Sequence, residues 1–321
     1  MRVLYIGGAG RSGSTLLDRM LGALPGVSAL GEVVNLWGVV RLTDDYCACG
    51  RSYARCDFWV AVGDKAFGGW DQIDLGRVRE LRTLALRLRN VPALVGGRLG
   101  PRLRGQLAEY AAYTTAVYAA AASLTGAELV VDSSKVPAIA LCLRRAAGSD
   151  LRMVHLVRDP RGVAYSWTKV VPRLESNVGQ TMPRFPPVRS ALSWDVHNLG
   201  AALAGRSGRP AGRAPEGLPV KRLHYEHLVS DPQGTIRGIG AFVGLDVGSD
   251  DLAFLTDDHV NLPVHHMIGG NPMRFRTGRL PLRRDDVWRT ALPRRHRRLV
   301  TALCAPLLVA YGYPLRTRLD E

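Results

Sequence analysis

A glycine-rich turn between an apolar strand and an amphipathic helix is the feature that most limits how this chain can fold. Residues 3–6 (VLYI) form the predicted strand, and the turn GGAGRSGST follows at residues 7–15. The helix after the turn carries Leu16, Leu17 and Met20 on one face. Such a unit directs several backbone N–H groups and the positive end of a helix dipole at one point. The sequence therefore predicts a site for an anionic ester group directly after the first strand.

The spacing of this turn is that of a Walker A loop with one substitution. Four residues separate Gly8 from Gly13, and Ser14 and Thr15 follow. Ser14 therefore stands where a nucleotide-triphosphate site has its lysine. Without that lysine, we expect the loop to bind a phosphate other than the β- and γ-phosphates of ATP. The structural alternative is a glycine-rich turn that merely starts a helix.

A second strand–helix junction carries residues suited to another phosphate. Residues 151–157 (LRMVHLV) predict a buried strand, and RDPRGVAYSW follows at residues 158–167. Arg158 thus stands at the end of a strand, and a guanidinium can bind phosphate through two parallel hydrogen bonds. Ser166 lies about two helical turns further on, in register with Arg158.

Together, the two junctions resemble the sulfotransferases that use 3′-phosphoadenosine-5′-phosphosulfate (PAPS). The resemblance continues in DSSKVP at 132–137, YEHLVSDP at 225–232 and GNPMRF at 270–275, so its motifs span about residues 1–280. It implies that the first loop binds the 5′-phosphosulfate and that Arg158 and Ser166 bind the 3′-phosphate. The full set of donor-binding residues that it implies is Arg11, Ser12, Gly13, Ser14, Thr15, Arg158, Ser166, Tyr225 and Arg274.

The resemblance also implies three catalytic residues. Arg11 corresponds to a cation at the bridging region of the phosphosulfate. Lys135 resembles the active-centre lysine of a Lys-x-Pro motif, whose ammonium neutralises charge on the leaving phosphate or the sulfuryl group. Glu32 resembles the Gly-Glu base of several glycan and tyrosine sulfotransferases. Each has a plainer interpretation as a solvated loop or helix-start residue, and Arg276 is an alternative to Arg274.

The order of elements predicts an α/β fold, with a P-loop-like parallel β-sheet flanked by helices. Strands expected at 2–7, 127–131, 151–157 and 219–223 alternate with helices at 14–23, 136–146, 161–170, 188–204 and 232–243. Two further helices are expected near 76–90 and 105–124. Ligands of such sheets bind at the carboxyl ends of the strands. We interpret residues 1–321 as one domain. A helical insertion with the cysteine loop (43–126) forms its acceptor side, 205–219 is a flexible linker loop, and helices near 285–311 close the chain.

Composition restricts the partners only weakly. Lysine and arginine outnumber acidic residues by 43 to 28, a net charge of +15, which favours anionic ligands. Aromatic residues make up only 7%, without the aromatic–basic interleaving of single-strand binders, so no specific nucleic acid is predicted. The sequence shows no apolar run of about 18 residues and leaves no room for a signal peptide, which predicts a cytoplasmic enzyme without a transmembrane segment.

Three cysteines, Cys47, Cys49 and Cys56, cluster in the sequence. Their thiols could hold zinc, form a labile disulfide, or simply pack beside Phe58 and Trp59, and the pattern favours packing. Cys-x-Cys is tighter than the usual structural zinc spacing, and no fourth ligand is near in sequence. None of the eight histidines shows metal-ligand spacing, and the neighbours at 265 and 266 are expected to face opposite ways. A similar cysteine pattern occurs in bacterial members of the family that the motifs resemble.

These observations predict a sulfotransferase that moves a sulfuryl group in line from PAPS to an acceptor hydroxyl or amine. The product would be adenosine 3′,5′-bisphosphate (PAP), and no metal is expected to take part. A P-loop kinase or NTPase is the first alternative, because LVVD at 129–132 resembles a strand that holds Mg²⁺. A non-catalytic protein that binds nucleic acid or a membrane surface is the second. A glycan, a lipid or a small molecule all stay open as the acceptor.

Overall fold

A five-stranded parallel sheet organises the chain. The computed structural model describes residues 1–40, 45–147, 150–174, 181–206 and 217–316, with the backbone alone at 88, 146 and 147. The strand order is β2-β3-β1-β4-β5, and a separate antiparallel pair, β6 and β7, lies apart from this sheet. The strands are β1 (Arg2–Gly8), β2 (Val27–Ala29), β3 (Leu129–Lys135), β4 (Asp150–Val157), β5 (Val220–His224), β6 (His259–Leu262) and β7 (Gly278–Pro281).

The helices cover the sheet and build the insertion that follows β2. Many of them start with proline, whose fixed φ and missing N–H suit the first helical turn. The helices are α1 (Ser14–Leu21), α2 (Leu36–Val39), α3 (Asp57–Phe67), α4 (Leu75–Ala85), α5 (Val91–Gly96), α6 (Pro101–Thr125), α7 (Pro137–Ala147), α8 (Pro160–Thr168), α9 (Pro187–Ala204), α10 (Tyr225–Ser230), α11 (Pro232–Val243), α12 (Trp288–Ala291) and α13 (Arg294–Ala310).

The central strand β1 is buried on both faces. Val3 and Tyr5 enter one hydrophobic core, with side chains of α3, α6 and α7. Leu4 and Ile6 enter a second core, with side chains of α1 and α11. Alternate residues of a strand point to opposite faces, which explains why the strand is apolar throughout rather than alternating.

Pairing on both sides of β1 brings three strand ends to one edge of the sheet. Gly7 lies opposite Lys135 of β3 and His155 of β4, and all three strands run parallel. The segments that follow β1 and β4, and the last residue of β3, therefore meet at this edge. This is the edge at which an open parallel sheet binds its ligands.

The predicted fold class is confirmed, and the differences are local. Strand β3 was expected at 127–131 but continues to Lys135, so Lys135 ends a strand rather than starting a helix. Elements that the sequence pattern missed are β2, α2, α3, α5, α10, β6 and β7. The expected insertion at 43–126 contains α3 to α6, whereas most of the expected linker, residues 207–216, lies outside the described residues. The single-domain interpretation stays a prediction.

Within the described parts of the chain, no helix combines the length and the apolar character that crossing a bilayer requires. The C-terminal helix α13 contains Pro306 and buries Cys304 and Leu308.

A buried polar layer joins α1 to the end of β3. The hydroxyl of Ser133 donates to Oδ2 of Asp18 at 2.5 Å, and Asp18 is fully buried. Burial raises the pKa of Asp18 to about 8, against the lowering effect of the Ser133 hydrogen bond. The carboxyl group is thus held in its neutral form over most of the acidic and neutral range.

Asp18→Asn should remove a pH dependence of stability without removing the layer. Between about pH 4 and pH 8, folded Asp18 keeps a proton that the unfolded chain has lost. Raising the pH therefore favours unfolding, by at most about 1.4 kcal/mol per pH unit. The free energy of unfolding of the native chain minus that of the variant should fall across this window and level off above it.

Urea denaturation of both proteins at several pH values measures this difference. Other groups that titrate with folding cancel in the comparison, since both proteins contain them. A difference that stays flat, or rises with pH, would show that Asp18 is ionised in the folded protein.

Candidate active site

A cleft of about 780 Å³ opens at the carboxyl edge of the sheet. Among the described residues, its walls contain seven cationic and three acidic side chains, so the cleft suits a multiply charged anion. Eight of the nine residues predicted to bind the donor line it, and so do the predicted catalytic residues. These lining residues are Arg11, Gly13, Ser14, Thr15, Glu32, Lys135, Arg158, Ser166, Tyr225 and Arg274.

The glycine-rich turn reaches the cleft through two residues with positive φ. Gly13 is the N-cap residue of α1 with φ 93°, and Arg11 has φ 66°. This backbone leaves the first turn of α1 pointing into the cleft, where the free N–H groups can bind an anion. Thr15 Oγ1 accepts a hydrogen bond from the Asn271 N–H at 3.1 Å, which leaves the hydroxyl proton available for a ligand.

Ser12 is the one predicted donor-binding residue that does not line the cleft. Its side chain is 1% exposed, and its hydroxyl has no hydrogen-bond partner within the described part of the chain. The structure therefore does not bring the Ser12 side chain together with the others. Any contact between Ser12 and a ligand in the cleft would come from its backbone atoms.

Arg158 is held in place on three sides. Its guanidinium donates to the Arg11 carbonyl at 3.0 Å and forms an ion pair with Asp285 at 2.9 Å. It also lies over the Tyr225 ring, 4.5 Å from the centroid. The side chain is only 7% exposed, so a phosphate in the cleft would meet a nearly desolvated cation with fixed geometry. Ser166, on α8, lines the same cleft as predicted.

Tyr225 links the two anion-binding segments. A Cβ added at Gly13 would lie 2.5 Å from Cδ2 of the Tyr225 ring, so the turn and the ring fit only with glycine at this position. Burial raises the pKa of Tyr225, against the lowering effect of the Arg158 charge. The neutral ring is thus a stacking surface for Arg158 and a side wall of the cleft.

Glu32 and Lys135 form an ion pair across the cleft. Their side chains are 16% and 17% exposed, and the ammonium contacts Oε1 of the carboxylate. The other oxygen, Oε2, accepts from Asn35 Nδ2 at 2.9 Å. Lys135 also donates to the Ser133 carbonyl at 3.2 Å and has φ 70°, an uncommon backbone conformation for a residue other than glycine. The pair is therefore oriented by a side-chain amide on one side and by a strained strand end on the other.

Asp132 is buried beneath the Glu32–Lys135 pair and does not line the cleft. It is 1% exposed and accepts hydrogen bonds from the Tyr118 hydroxyl and from the Ser134 N–H. Ser134 Oγ in turn accepts from the Val34 N–H at 2.9 Å, two residues after Glu32. Burial raises the pKa of Asp132 to about 6. This arrangement positions the chain beside Glu32, and the carboxylate is not available as a Mg²⁺ ligand in the cleft.

Arg11 is half-buried, whereas Arg274 is fully buried. The Arg11 guanidinium lies 4.8 Å from the Trp167 ring centroid, and burial lowers its pKa, against the raising effect of the Glu32 charge. Arg274 is 1% exposed and donates to the carbonyls of Gly270 and Tyr46 at 3.3 Å. Of the two late arginines that the sequence left open, Arg274 lines the cleft and Arg276 is exposed outside it.

Sequence reasoning missed several residues of the cleft. Asp285 lies in a loop without a motif, and Asn35 and Lys169 gave no signal of their own. Trp167 directly follows Ser166, so its place beside the predicted phosphate ligand could have been inferred. The glycines at 269 and 270 open the segment that the resemblance identified, and both have positive φ.

The cysteine loop lies behind the same wall, and a potential fourth ligand reaches it from a distant part of the sequence. His266 Nδ1 is 3.3 Å from Cys56 Sγ and 3.8 Å from Cys47 Sγ, although more than 200 residues separate them in sequence. The fourth potential ligand that the sequence did not offer is therefore present. Cys49 completes the group, which lies beside Phe58 and Trp59 as expected. His265 packs near Gly22 instead, so the two histidines do face opposite ways.

Comparison with known proteins finds sequence similarity to sulfotransferases. No protein-family profile matches the chain. It is 28% identical over 196 residues to carbohydrate sulfotransferase 2 of Mus musculus, covering 51% of the chain and 35% of that protein. It is 29% identical over 177 residues to carbohydrate sulfotransferase 6 of Homo sapiens, covering 51% and 42%. The matches thus span less than half the length of these relatives.

Solved structures show the same fold. The sulfotransferase domain from the Synechococcus PCC 7002 olefin synthase has a TM-score of 0.50 at 21% identity, over 98% of this chain and 96% of that one. The sulfotransferase domain from the curacin biosynthetic pathway also has a TM-score of 0.50, at 17% identity, over 98% and 99%. The chain is thus similar in sequence to carbohydrate sulfotransferases and similar in fold to sulfotransferase domains. These similarities agree with the resemblance that the motifs indicated.

Gly13→Ala should weaken anion binding at the glycine-rich turn. An alanine at φ 93° costs on the order of 1–2 kcal/mol of backbone strain, and its Cβ would push the Tyr225 ring away from the turn. We expect the affinity for PAP to fall at least tenfold, as calorimetry would measure.

Gly126→Ala is the matched control. Gly126 has φ 66° at the end of α6, and an added Cβ there meets nothing within 4 Å. It should lower the melting temperature to a similar extent but leave the affinity for PAP unchanged. If Gly13→Ala and Gly126→Ala bind PAP with equal affinity, Gly13 does not contribute to the anion site.

Proposed function

We propose that this protein transfers a sulfuryl group from PAPS to a hydroxyl or amine of an acceptor and releases PAP. One observation carries the proposal: two separate anion-binding segments open into a single cleft beside a carboxylate–ammonium pair. PAPS carries two anionic groups at opposite ends of one nucleoside. The turn at residues 10–15 would bind the phosphosulfate, and Arg158 with Ser166 would bind the 3′-phosphate.

The contacts of Arg158 support this assignment. A buried guanidinium needs an anionic partner, and without ligand it has Asp285 at 2.9 Å. Lys169 contacts the same carboxylate at 3.6 Å, so two cations converge there. A phosphate provides more charge and more acceptor oxygens than a carboxylate does, and it suits a planar guanidinium with two parallel hydrogen bonds. The 3′-phosphate would therefore compete with Asp285 for an arginine that is already oriented.

The chemistry requires little more than alignment and charge. In the transfer, the bond between sulfur and the 5′-phosphate oxygen breaks while a new bond forms from sulfur to the acceptor oxygen. Glu32 would accept the proton of the acceptor hydroxyl, and Lys135 and Arg11 would neutralise the charge that grows on the leaving phosphate. Holding donor and acceptor in line within one cleft supplies the remainder of the rate enhancement.

The acceptor side is proposed to be the part of the cleft that is lined by Val39, Tyr53, Arg82, Arg173 and Met182. This mixture of apolar and hydrogen-bonding side chains suits a glycan or another small polyhydroxyl molecule. The carbohydrate sulfotransferases among the relatives agree with that class. A lipid acceptor stays a prediction, as does the cytoplasmic location.

The two alternative functions have less support. A kinase or NTPase would need a lysine in the turn and a carboxylate for Mg²⁺, but the chain has Ser14 there, and Asp132 is occupied by Tyr118 and Ser134. A nucleic-acid or membrane-surface binder is supported by the net charge of +15 alone.

Arg158→Ala should weaken PAP binding far more than AMP binding. Truncation of a charge-assisted contact to phosphate costs on the order of 1.5–3 kcal/mol, or about tenfold to a hundredfold in affinity. AMP lacks the 3′-phosphate, so its affinity should change little. Isothermal titration calorimetry with both nucleotides, without Mg²⁺, measures the difference.

Arg102→Ala, at an exposed arginine of α6, is the control for removing a positive charge. It should leave both affinities unchanged. Equal losses for PAP and AMP in Arg158→Ala would refute the assignment of the 3′-phosphate, and PAP binding that requires Mg²⁺ would favour the NTPase alternative.

Glu32→Gln and Lys135→Ala should have different kinetic effects. Glutamine keeps the size and the Asn35 contact but cannot accept the proton, so kcat should fall by roughly 10²–10⁴ while PAP affinity holds. Lys135→Ala should lower kcat and also weaken donor binding, because its charge faces the phosphosulfate before and during transfer. An acceptor from a mass-spectrometric screen with PAPS permits both measurements.

The nearby acidic residue Asp45 offers a comparison for Glu32, since it also lines the cleft but pairs with Arg173 at 3.1 Å. Asp45→Asn should alter the KM of the acceptor rather than kcat. A Glu32→Gln variant that turns over near the native rate would exclude Glu32 as the base.

A further inference from the structure

Three cysteines and one histidine surround a common point behind the cleft wall. The four atoms are the Sγ atoms of Cys47, Cys49 and Cys56 and the Nδ1 atom of His266, and all lie within 4.8 Å of one another. All four residues are buried or half-buried, and the five cysteines of the chain are free thiols. We propose that this Cys₃His group is a structural zinc site that takes no chemical part in the proposed sulfuryl transfer.

The separations fit a tetrahedral ion. With Zn–S near 2.3 Å and Zn–N near 2.0–2.1 Å, a tetrahedron has S···S edges of about 3.8 Å and S···N edges of about 3.6 Å. The observed Cys49–Cys56 sulfur separation is 3.7 Å, and His266 Nδ1 lies 3.8 Å from Cys47 and 3.3 Å from Cys56. The longest separation, up to 4.8 Å, needs shifts of about 1 Å to close on the ion.

Two local structures deliver the ligands. A tight hairpin carries Cys47 and Cys49: the Cys47 N–H donates to Arg51 at 2.8 Å, and the Gly50 N–H donates back to Cys47 at 2.9 Å. Gly50 has φ 86°, which allows this sharp return. Cys56 is the N-cap residue of α3, where the helix dipole stabilises a thiolate.

The imidazole is oriented independently of any metal. The Phe58 ring stacks on His266 with centroids 4.9 Å apart and planes 19° from parallel. The Trp59 indole donates to the His266 carbonyl at 2.8 Å, which fixes the backbone beneath the ring. Supports of this kind hold a ligand in place before the ion binds.

A metal explains the arrangement better than the two alternatives do. A disulfide would use two of the three sulfurs and would leave the third cysteine and the imidazole unexplained. Plain packing does not require an imidazole nitrogen to point at two thiols. Three thiolates and an imidazole are a ligand set of structural zinc, and soft sulfur ligands disfavour Mg²⁺ and Ca²⁺.

The ion would tie the insertion to the cleft. Two residues after His266, Ile268 forms a bridge with Gly31, and its carbonyl accepts from the Glu32 N–H at 2.7 Å. Next come Gly269 and Gly270, which line the cleft, and Asn271, which contacts Thr15. The zinc would therefore fix the segment that contacts both the turn and Glu32.

Metal analysis of the purified full-length chain tests the proposal. Plasma mass spectrometry should find about one zinc per chain, and zinc should be much reduced in Cys49→Ser and in His266→Gln. His265→Gln and Cys142→Ser are matched controls, because both residues lie outside the group, and both variants should retain zinc. Cys49 is half-buried, which makes its variant the one best suited to fold.

Cobalt substitution of the native chain tests the site without any variant. Bound Co²⁺ should show the thiolate charge-transfer absorption and the intense visible bands of a tetrahedral site, and one equivalent of Zn²⁺ should abolish both. Absence of zinc and of these bands would overturn the proposal, and so would a Cys49–Cys56 disulfide found by mass spectrometry. Zinc retained in both Cys49→Ser and His266→Gln would place the ion elsewhere.

Discussion

Parallel pairing of β1 with β3 and β4 is the constraint on which the remaining structure depends. The pairing places the glycine-rich turn, Lys135 and Arg158 at one edge of the sheet, although about 150 residues separate the first from the last. Local structure alone would not bring these residues together, because they are far apart in the sequence. Because β1 is buried on both faces, packing in two cores fixes its register with β3 and β4. The residues at the edge of the sheet are therefore held in fixed positions as well.

A second long-range link completes the site. The bridge between Gly31 and Ile268 attaches the segment at 266–271 to the chain around Glu32. An added Cβ at Gly31 would lie 2.4 Å from the Ile268 carbonyl, so glycine permits the two backbones to approach this closely. An added Cβ at Gly270 would lie 3.0 Å from the Thr15 hydroxyl oxygen, a less severe but still close contact. Both approaches depend on missing side chains, which explains why the segments that form this wall are rich in glycine.

The sequence predicted what local patterns encode. Apolar runs predicted the strands at 2–7 and 151–157 to within a residue or two. The motifs supplied ten of the residues that line the cleft, and the glycine-rich turn, Arg158 and Tyr225 were identifiable because each directly follows a strand. What the patterns could not give was the short strand β2, the helix α3, and partners far apart in sequence. Asp285 and His266 carry no local signal, and only the folded chain brings them to Arg158 and to the cysteines.

The acidic residues that line the cleft are all paired with cations. Each acidic lining residue contacts a cation: Glu32 contacts Lys135, Asp45 contacts Arg173, and Asp285 contacts Arg158. The cleft therefore neutralises part of its own charge before any ligand binds, which lowers the cost of burying its cations.

Under the proposed function, a donor with two phosphate-like groups would take over two of these cations. Asp285 would lose Arg158 to the 3′-phosphate, and Glu32 would share Lys135 with the phosphosulfate. Lys135 would then contact two anionic groups, the Glu32 carboxylate and the phosphosulfate. The same ion pair would thus couple the position of the Glu32 side chain to the presence of the donor.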